Sequence, residues 1–159
     1  MKFKTVAVGG TFDKFHKGHE ALLSKAFGVG EQVLIGLCSD KFVKTMHKPH
    51  PTAPYAQRAG ELRAFLRKKN FLERSKIIPL NDAYGPTLTS DTLEALVVTK
   101  ETEMTAFEIN KRRKEAGMSP LHTIVIGLVS SEDNLSISTS RIRSGKIDRY
   151  GRLLKTCPK

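Results

Sequence analysis

The chain has 159 residues, 39% of them hydrophobic, with a formal net charge of +11. That length suits one domain with a real core, read here as a single domain over 1–159, and no apolar run approaches the roughly 18 residues of a membrane helix. The opening MKFKTVAVGG has too short an apolar stretch, and no small-residue cleavage pattern, to read as a signal peptide, so a cytoplasmic protein with no membrane partner is expected.

Phe3 to Val8 (FKTVAV) is apolar, β-branched and stopped by Gly9-Gly10, which predicts a strand. Lys17 to Phe27 predicts a helix, with Ala21, Leu22, Lys25 and Ala26 at a 3.6-residue period. Gln32 to Cys38 is a second, nearly continuous apolar strand. Pro54 to Lys69 sets Ala59, Leu62 and Leu66 between charges, with Pro54 near the first turn of a helix. Lys76 to Leu80 and Ala95 to Thr99 are short buried strands. Met104 to Ala116 is a basic helix stopped by Gly117 and Pro120. His122 to Val129 is the last strong strand, and STSRIRSG opens a closing helix.

Apolar strands without alternation are buried on both faces. Interleaved with helices, they indicate an α/β fold: a doubly wound, Rossmann-like parallel sheet of five strands with helices on both faces. Ligands of such sheets bind beyond the carboxyl ends of the strands. The loops after Val8, Cys38, Leu80, Thr99 and Val129 are therefore the places to look for chemistry.

Much of the positive charge lies in Arg63 to Lys76 and Asn110 to Gly117, where acidic residues recur at helical spacing. That pattern describes a solvated basic helix face and suits small, phosphate-rich ligands. With no Trp, 7% aromatic residues and no helix-turn-helix pattern, a nucleic-acid-binding module is disfavoured. Cys38 and Cys157 are far apart and form neither C-x-x-C nor a zinc spacing, so both read as structural thiols.

The densest chemistry is in GGTFDKFHKGH, Gly9 to His19. Neither G-x-G-x-x-G nor a P-loop is present. Instead, His16-x-Gly18-His19 stands at a predicted helix N-terminus, where unsatisfied N–H groups and the positive end of the helix dipole attract phosphate. Two imidazoles add donors, and Gly18 leaves room between them. No third or fourth ligand at suitable spacing makes this a metal site, so none is assigned to protein side chains.

GGTFDKFHKGH resembles the first signature of the nucleotidyltransferase superfamily, G-T-F-D followed by H-x-G-H. Ile137-Ser138-Thr139-Ser140-Arg141-Ile142-Arg143 resembles the second, I-S-S/T-S/T-x-x-R. The resemblance implies that His16 and His19 contact the nucleotide phosphates and stabilise the transition state. It implies that Gly10, Thr11 and Phe12 line the nucleotide site, Thr11 also facing the acceptor. Ser138, Thr139 and Ser140 would hold the β- and γ-phosphates at a helix N-terminus, with Ile137 in the same nucleotide site and Arg141 and Arg143 as nearby candidates for phosphate contact. ATP would arrive with Mg²⁺ as its phosphate counter-ion.

The loop SDKFVKTMHKPHPTAPYAQRAGEL resembles the lysine-containing loop and following helix of the phosphopantetheine adenylyltransferases. Lys44 is assigned as the lysine bridging donor and acceptor phosphates, with Lys41 and Lys48 as substitutes in another register. Arg58 is a weaker candidate, an exposed helix residue on pattern alone. Tyr84-Gly85-Pro86-Thr87, Glu101-Thr102 and Ile109-Asn110 with Arg113 resemble the archaeal and eukaryotic form of that family rather than the bacterial one. This implies Lys100, Thr102, Asn110 and Arg113 near the nucleotide, and Tyr84 and Thr87 on the acceptor side. The expected reaction is adenylyl transfer from ATP to 4′-phosphopantetheine, by a monomer or small homo-oligomer. The first loop alone leaves open a related enzyme acting on glycerol 3-phosphate with CTP, or on FMN-type or nicotinamide mononucleotide acceptors.

Overall fold

The computed structural model describes residues 2–48 and 51–127. Strand β1 (Phe3–Gly10) leads to helix α1 (Lys17–Val29), strand β2 (Gly30–Cys38) and a short helix α2 (Asp40–Thr45). Helix α3 (Tyr55–Lys68), strand β3 (Ser75–Leu80), strand β4 (Ala95–Thr99), helix α4 (Glu103–Glu115) and strand β5 (His122–Ile126) follow. Single 3₁₀ turns stand at Leu72–Arg74 and Gly85–Leu88.

The five strands form one parallel sheet in the order β3-β2-β1-β4-β5. The chain winds outward from β1 through β2 to β3, then returns to the other side of β1 for β4. That reversal opens a crevice above the carboxyl ends of β1 and β4.

Each face of the sheet carries its own core, because side chains alternate along a strand. Val6, Val8, Val33, Ile35 and Leu37 pack with Leu22, Leu23, Ala26 and Phe27 of α1 and Leu62, Phe65 and Leu66 of α3. Ala7, Leu96 and Val98 face the opposite way, toward Ala106 and Ile109 of α4. A fully buried leucine of either cluster contributes about 1.5–3 kcal/mol. The connection from β3 to β4 has only the 85–88 turn where a crossover helix would stand, so α4 and that turn share the second face. Among the described residues no helix is long and apolar enough to cross a membrane.

The expected strands and helices are present, with two differences. The buried face of α1 is Leu22, Leu23, Ala26 and Phe27, while Lys25 is exposed: the stripe runs one position beside the one read from the sequence. Helix α2 was not expected. Its six residues are too few to display an apolar period, but Ser39 caps it through a hydrogen bond from Phe42 N–H at 3.1 Å. The end of the expected last strand, after Gly127, and the closing helix lie outside the described residues.

Candidate active site

The loop from Gly10 to His16 folds tightly. Phe12 and Lys14 both adopt left-handed backbone, at φ 51° and 49°, and the Phe12 ring is only 1% exposed. Such conformations cost free energy in non-glycine residues, and they persist where packing over-determines them. Phe12 and Phe15 clamp the ring of His19 at centroid distances of 5.2 and 5.3 Å. Asp13 is buried and accepts a hydrogen bond from Ala53 N–H at 3.2 Å, which ties this loop to the segment before α3.

The two histidines cap α1 reciprocally. Gly18 N–H donates to His16 Nδ1 at 3.0 Å, and His16 N–H donates to His19 Nδ1 at 3.2 Å. The rings stack with centroids 3.7 Å apart and planes 22° from parallel. An imidazole ring whose Nδ1 accepts carries its proton on Nε2, so each ring offers an Nε2–H donor. Burial first, then neighbouring His16 and Lys48, hold the His19 imidazole well below its ordinary 6.5, so it is neutral at physiological pH. Gly18 is required by this stack: a Cβ there would lie 2.8 Å from His16 Cε1.

These residues open onto a cavity of about 660 Å³ along the sheet's α4 side. One end is polar, with Thr11, His16, His19 and Lys48. The rest is an apolar floor of small and aliphatic residues, including Ala7, Gly9, Leu34, Gly36, Ile78 and Leu80. Tyr84, Pro86 and Thr87 stand on one side, and Thr99, Glu101, Thr102 and Thr105 at the start of α4.

Of the residues picked from the sequence, Gly10, Thr11, Phe12, His16, His19, Tyr84, Thr87 and Thr102 line this one cavity. Lys44 does not. It lies on the exposed side of α2, opposite Phe42 and Met46, which do line the cavity, because residues two apart on a helix point nearly opposite ways. Lys41 is also exposed and outside the cavity. After α2, His47 at φ 50° reverses the chain and brings Lys48 to the polar end, where its Nζ donates to Thr11 Oγ1 at 3.4 Å. Of the three lysines considered, Lys48 is thus the one that lines the cavity.

Four further residues picked from the sequence stand outside the lining of the cavity. Lys100 is exposed and does not line the cavity. Asn110 brackets Leu121, donating Nδ2–H to its carbonyl at 3.0 Å and accepting its N–H on Oδ1 at 2.8 Å, so it joins α4 to β5. Arg113 is buried and donates to the carbonyls of Ser119 (2.8 Å), Thr87 (2.7 Å) and Ser90 (3.0 Å), anchoring the turn that carries Tyr84 and Thr87. Arg58 is fully buried rather than exposed. It donates to the carbonyls of Thr11 (2.9 Å), Cys38 (2.8 Å) and Ala53 (2.8 Å) and pairs with Asp40 at 2.9 Å. Ile137, Ser138, Thr139, Ser140, Arg141 and Arg143 lie outside the described residues.

Cys38, Phe42, Met46, Leu80 and Thr105, none of them picked as a site residue from the sequence, also line the cavity. Cys38 and Leu80 have a positional signal, as the last residues of β2 and β3; Phe42 and Met46 come with α2, and Thr105 with the first turn of α4. Burial pushes the Cys38 thiol up, with the Thr11 hydroxyl, Arg58 and Lys48 opposing, so it is an uncharged wall rather than a nucleophile.

A family model described as cytidylyltransferase-like matches residues 7–145. The phosphopantetheine adenylyltransferase of Pyrococcus abyssi is 47% identical over 155 residues, 98% of each chain. That of Methanothermobacter thermautotrophicus is 44% identical over 154 residues, 97% of this chain and 92% of the relative. A crystal structure from Archaeoglobus fulgidus, described as a protein with unknown function, superposes with a TM-score of 0.69 at 32% identity, covering 79% of this chain and 89% of that one. With its paired histidines at the first crossover and these matches along nearly its whole length, the chain belongs to the cytidylyltransferase-like nucleotidyltransferases and, within them, to the phosphopantetheine adenylyltransferases.

Proposed function

We propose that the protein, acting in the cytoplasm, transfers the adenylyl group of ATP to 4′-phosphopantetheine, giving dephospho-coenzyme A and pyrophosphate. The observation that carries this reading is the two-part cavity: a polar end with two imidazole donors and a lysine, continued by an apolar floor. A phosphate on a long, uncharged arm matches both parts. A short, hydroxyl-rich acceptor such as glycerol 3-phosphate leaves the floor unused.

An acceptor phosphate is already a nucleophile, so the protein need not supply one. Its task is to position two phosphates and to stabilise charge growing on the α-phosphate oxygens and on leaving pyrophosphate. The Nε2–H groups of His16 and His19 suit the α-phosphate, and Lys48 suits the approach of two anions that otherwise repel. Because His19 is neutral, it donates a hydrogen bond and has no transferable extra proton at pH 7. Residues 138–140 are assigned the β- and γ-phosphates by their resemblance to the second signature. Mg²⁺ is assigned as the counter-ion of the nucleotide's β- and γ-phosphates, whose charge it would neutralise.

The test is pyrophosphate release with ATP or CTP against a panel of acceptors: 4′-phosphopantetheine, glycerol 3-phosphate, FMN-type phosphates and nicotinamide mononucleotide. Release is expected with ATP and 4′-phosphopantetheine, at a kcat/KM at least about 100-fold above any other pair. Equal or faster release with another acceptor overturns the reading.

A further inference from the structure

The cavity floor is built around glycine. Gly9 and Gly36 are paired neighbours on β1 and β2, and Gly85 stands in the turn after β3 at φ +51°. All three positions converge on one side chain. A Cβ at Gly36 would lie 2.7 Å from both Cγ and Cδ1 of Leu80 and 2.8 Å from its Cδ2. A Cβ at Gly85 would lie 2.5 Å from Cδ2, and one at Gly9 3.2 Å from Cδ1. Leu80 is the last residue of β3, is half-buried, joins neither hydrophobic cluster and lines the cavity.

The isobutyl group therefore lies down across three positions that have no side chain. Glycine inside a strand weakens it, and its presence marks a close approach. Here the approach is made by Leu80, and lying flat keeps the apolar half of the cavity open. We propose that Leu80, seated in this glycine socket, sets the bore of the groove that takes the acceptor's uncharged arm. The inference rests on the acceptor reading above. A methyl group at Gly36 occupies the space of all three outer carbons of Leu80. The leucine, as the far end of a flexible side chain, then stands up into the groove while the strand stays in place.

The test is a pair of coupled substitutions read by acceptor kinetics. Gly36→Ala is expected to raise KM for 4′-phosphopantetheine about tenfold while KM for ATP stays within about twofold. Adding Leu80→Ala to that chain is expected to bring the acceptor KM back to within about threefold of wild type, a non-additivity that identifies contact between the two sites. Leu80→Phe, with the glycines untouched, narrows the groove independently and is expected to raise the same KM about tenfold; it decides the matter if Gly36→Ala fails to fold by circular dichroism. An acceptor KM unchanged in Gly36→Ala and Leu80→Phe overturns the proposal, as does a Gly36→Ala defect that Leu80→Ala does not relieve. A wild-type chain that binds ATP yet releases no pyrophosphate with 4′-phosphopantetheine overturns the acceptor reading instead. Wild-type turnover with unresponsive variants overturns only the role of Leu80.

Discussion

His19 is held by rings on three sides, and its Nδ1 is committed to a backbone N–H, so only its Nε2–H remains for a phosphate. His19→Ala is expected to lower kcat at least about 100-fold, as for loss of one preorganised oxyanion donor worth roughly 3–4 kcal/mol. Its Kd for ATP, by calorimetry, should stay within a few-fold. The depressed pKa also has a stability consequence. Between the unfolded value near 6.5 and the lower folded value, the unfolded chain binds the proton and the folded chain does not. Stability therefore falls as pH drops through that window, by at most about 1.4 kcal/mol per pH unit, and above 6.5 the group contributes no slope. Urea unfolding at pH 7.5 and 5.5 checks this, with His19→Asn expected to flatten the difference. The two lysines separate in the same way: Lys48→Ala is expected to lower kcat/KM about 100-fold and Lys44→Ala less than about threefold, because only Lys48 reaches the cavity.

The start of α1 combines a structural cap with the two imidazoles of the cavity's polar end, which makes Gly18 a strict position. In an ordinary helix Gly→Ala stabilises by roughly 1 kcal/mol. Here the new Cβ would press on the His16 ring at 2.8 Å. Gly18→Ala is expected to reverse the sign, lowering stability by about 1 kcal/mol through loss of the cap, and to lower kcat with it; thermal unfolding and pyrophosphate release measure the two. The elements themselves were largely legible in the sequence. Strands such as QVLIGLC announce burial on both faces, and Ala95–Thr99 falls where its composition placed it. Helix α2 was not legible, because a six-residue helix has no room for a period, and with it went the register that brings Lys48 rather than Lys44 to the cavity. Arg58 and Arg113 were misread for a different reason. An arginine on a helix reads as solvated, and the partners of these two, Asp40 apart, are backbone carbonyls 5 to 47 residues away, which have no side-chain signature.

Across the molecule, Arg58 and Arg113 act as clamps on two walls of the cavity. Arg58 fastens the ends of β1 and β2, at Thr11 and Cys38, to the segment before α3. Arg113 fastens the 85–90 turn to α4. Each neutralises carbonyls that would otherwise be buried without partners. Arg58→Met is expected to destabilise the fold by about 3 kcal/mol in urea unfolding, because it strands three backbone carbonyls, while half-exposed Asp40 keeps water and its hydrogen bond from Tyr55 N–H. The cap on α1 has one more consequence. The amide protons of His16 and Gly18 are held by the very rings that line the polar end of the cavity, so their exchange with deuterium reports whether those rings are in place. Ligand arrival should slow both, giving a gauge of occupancy that needs no turnover at all.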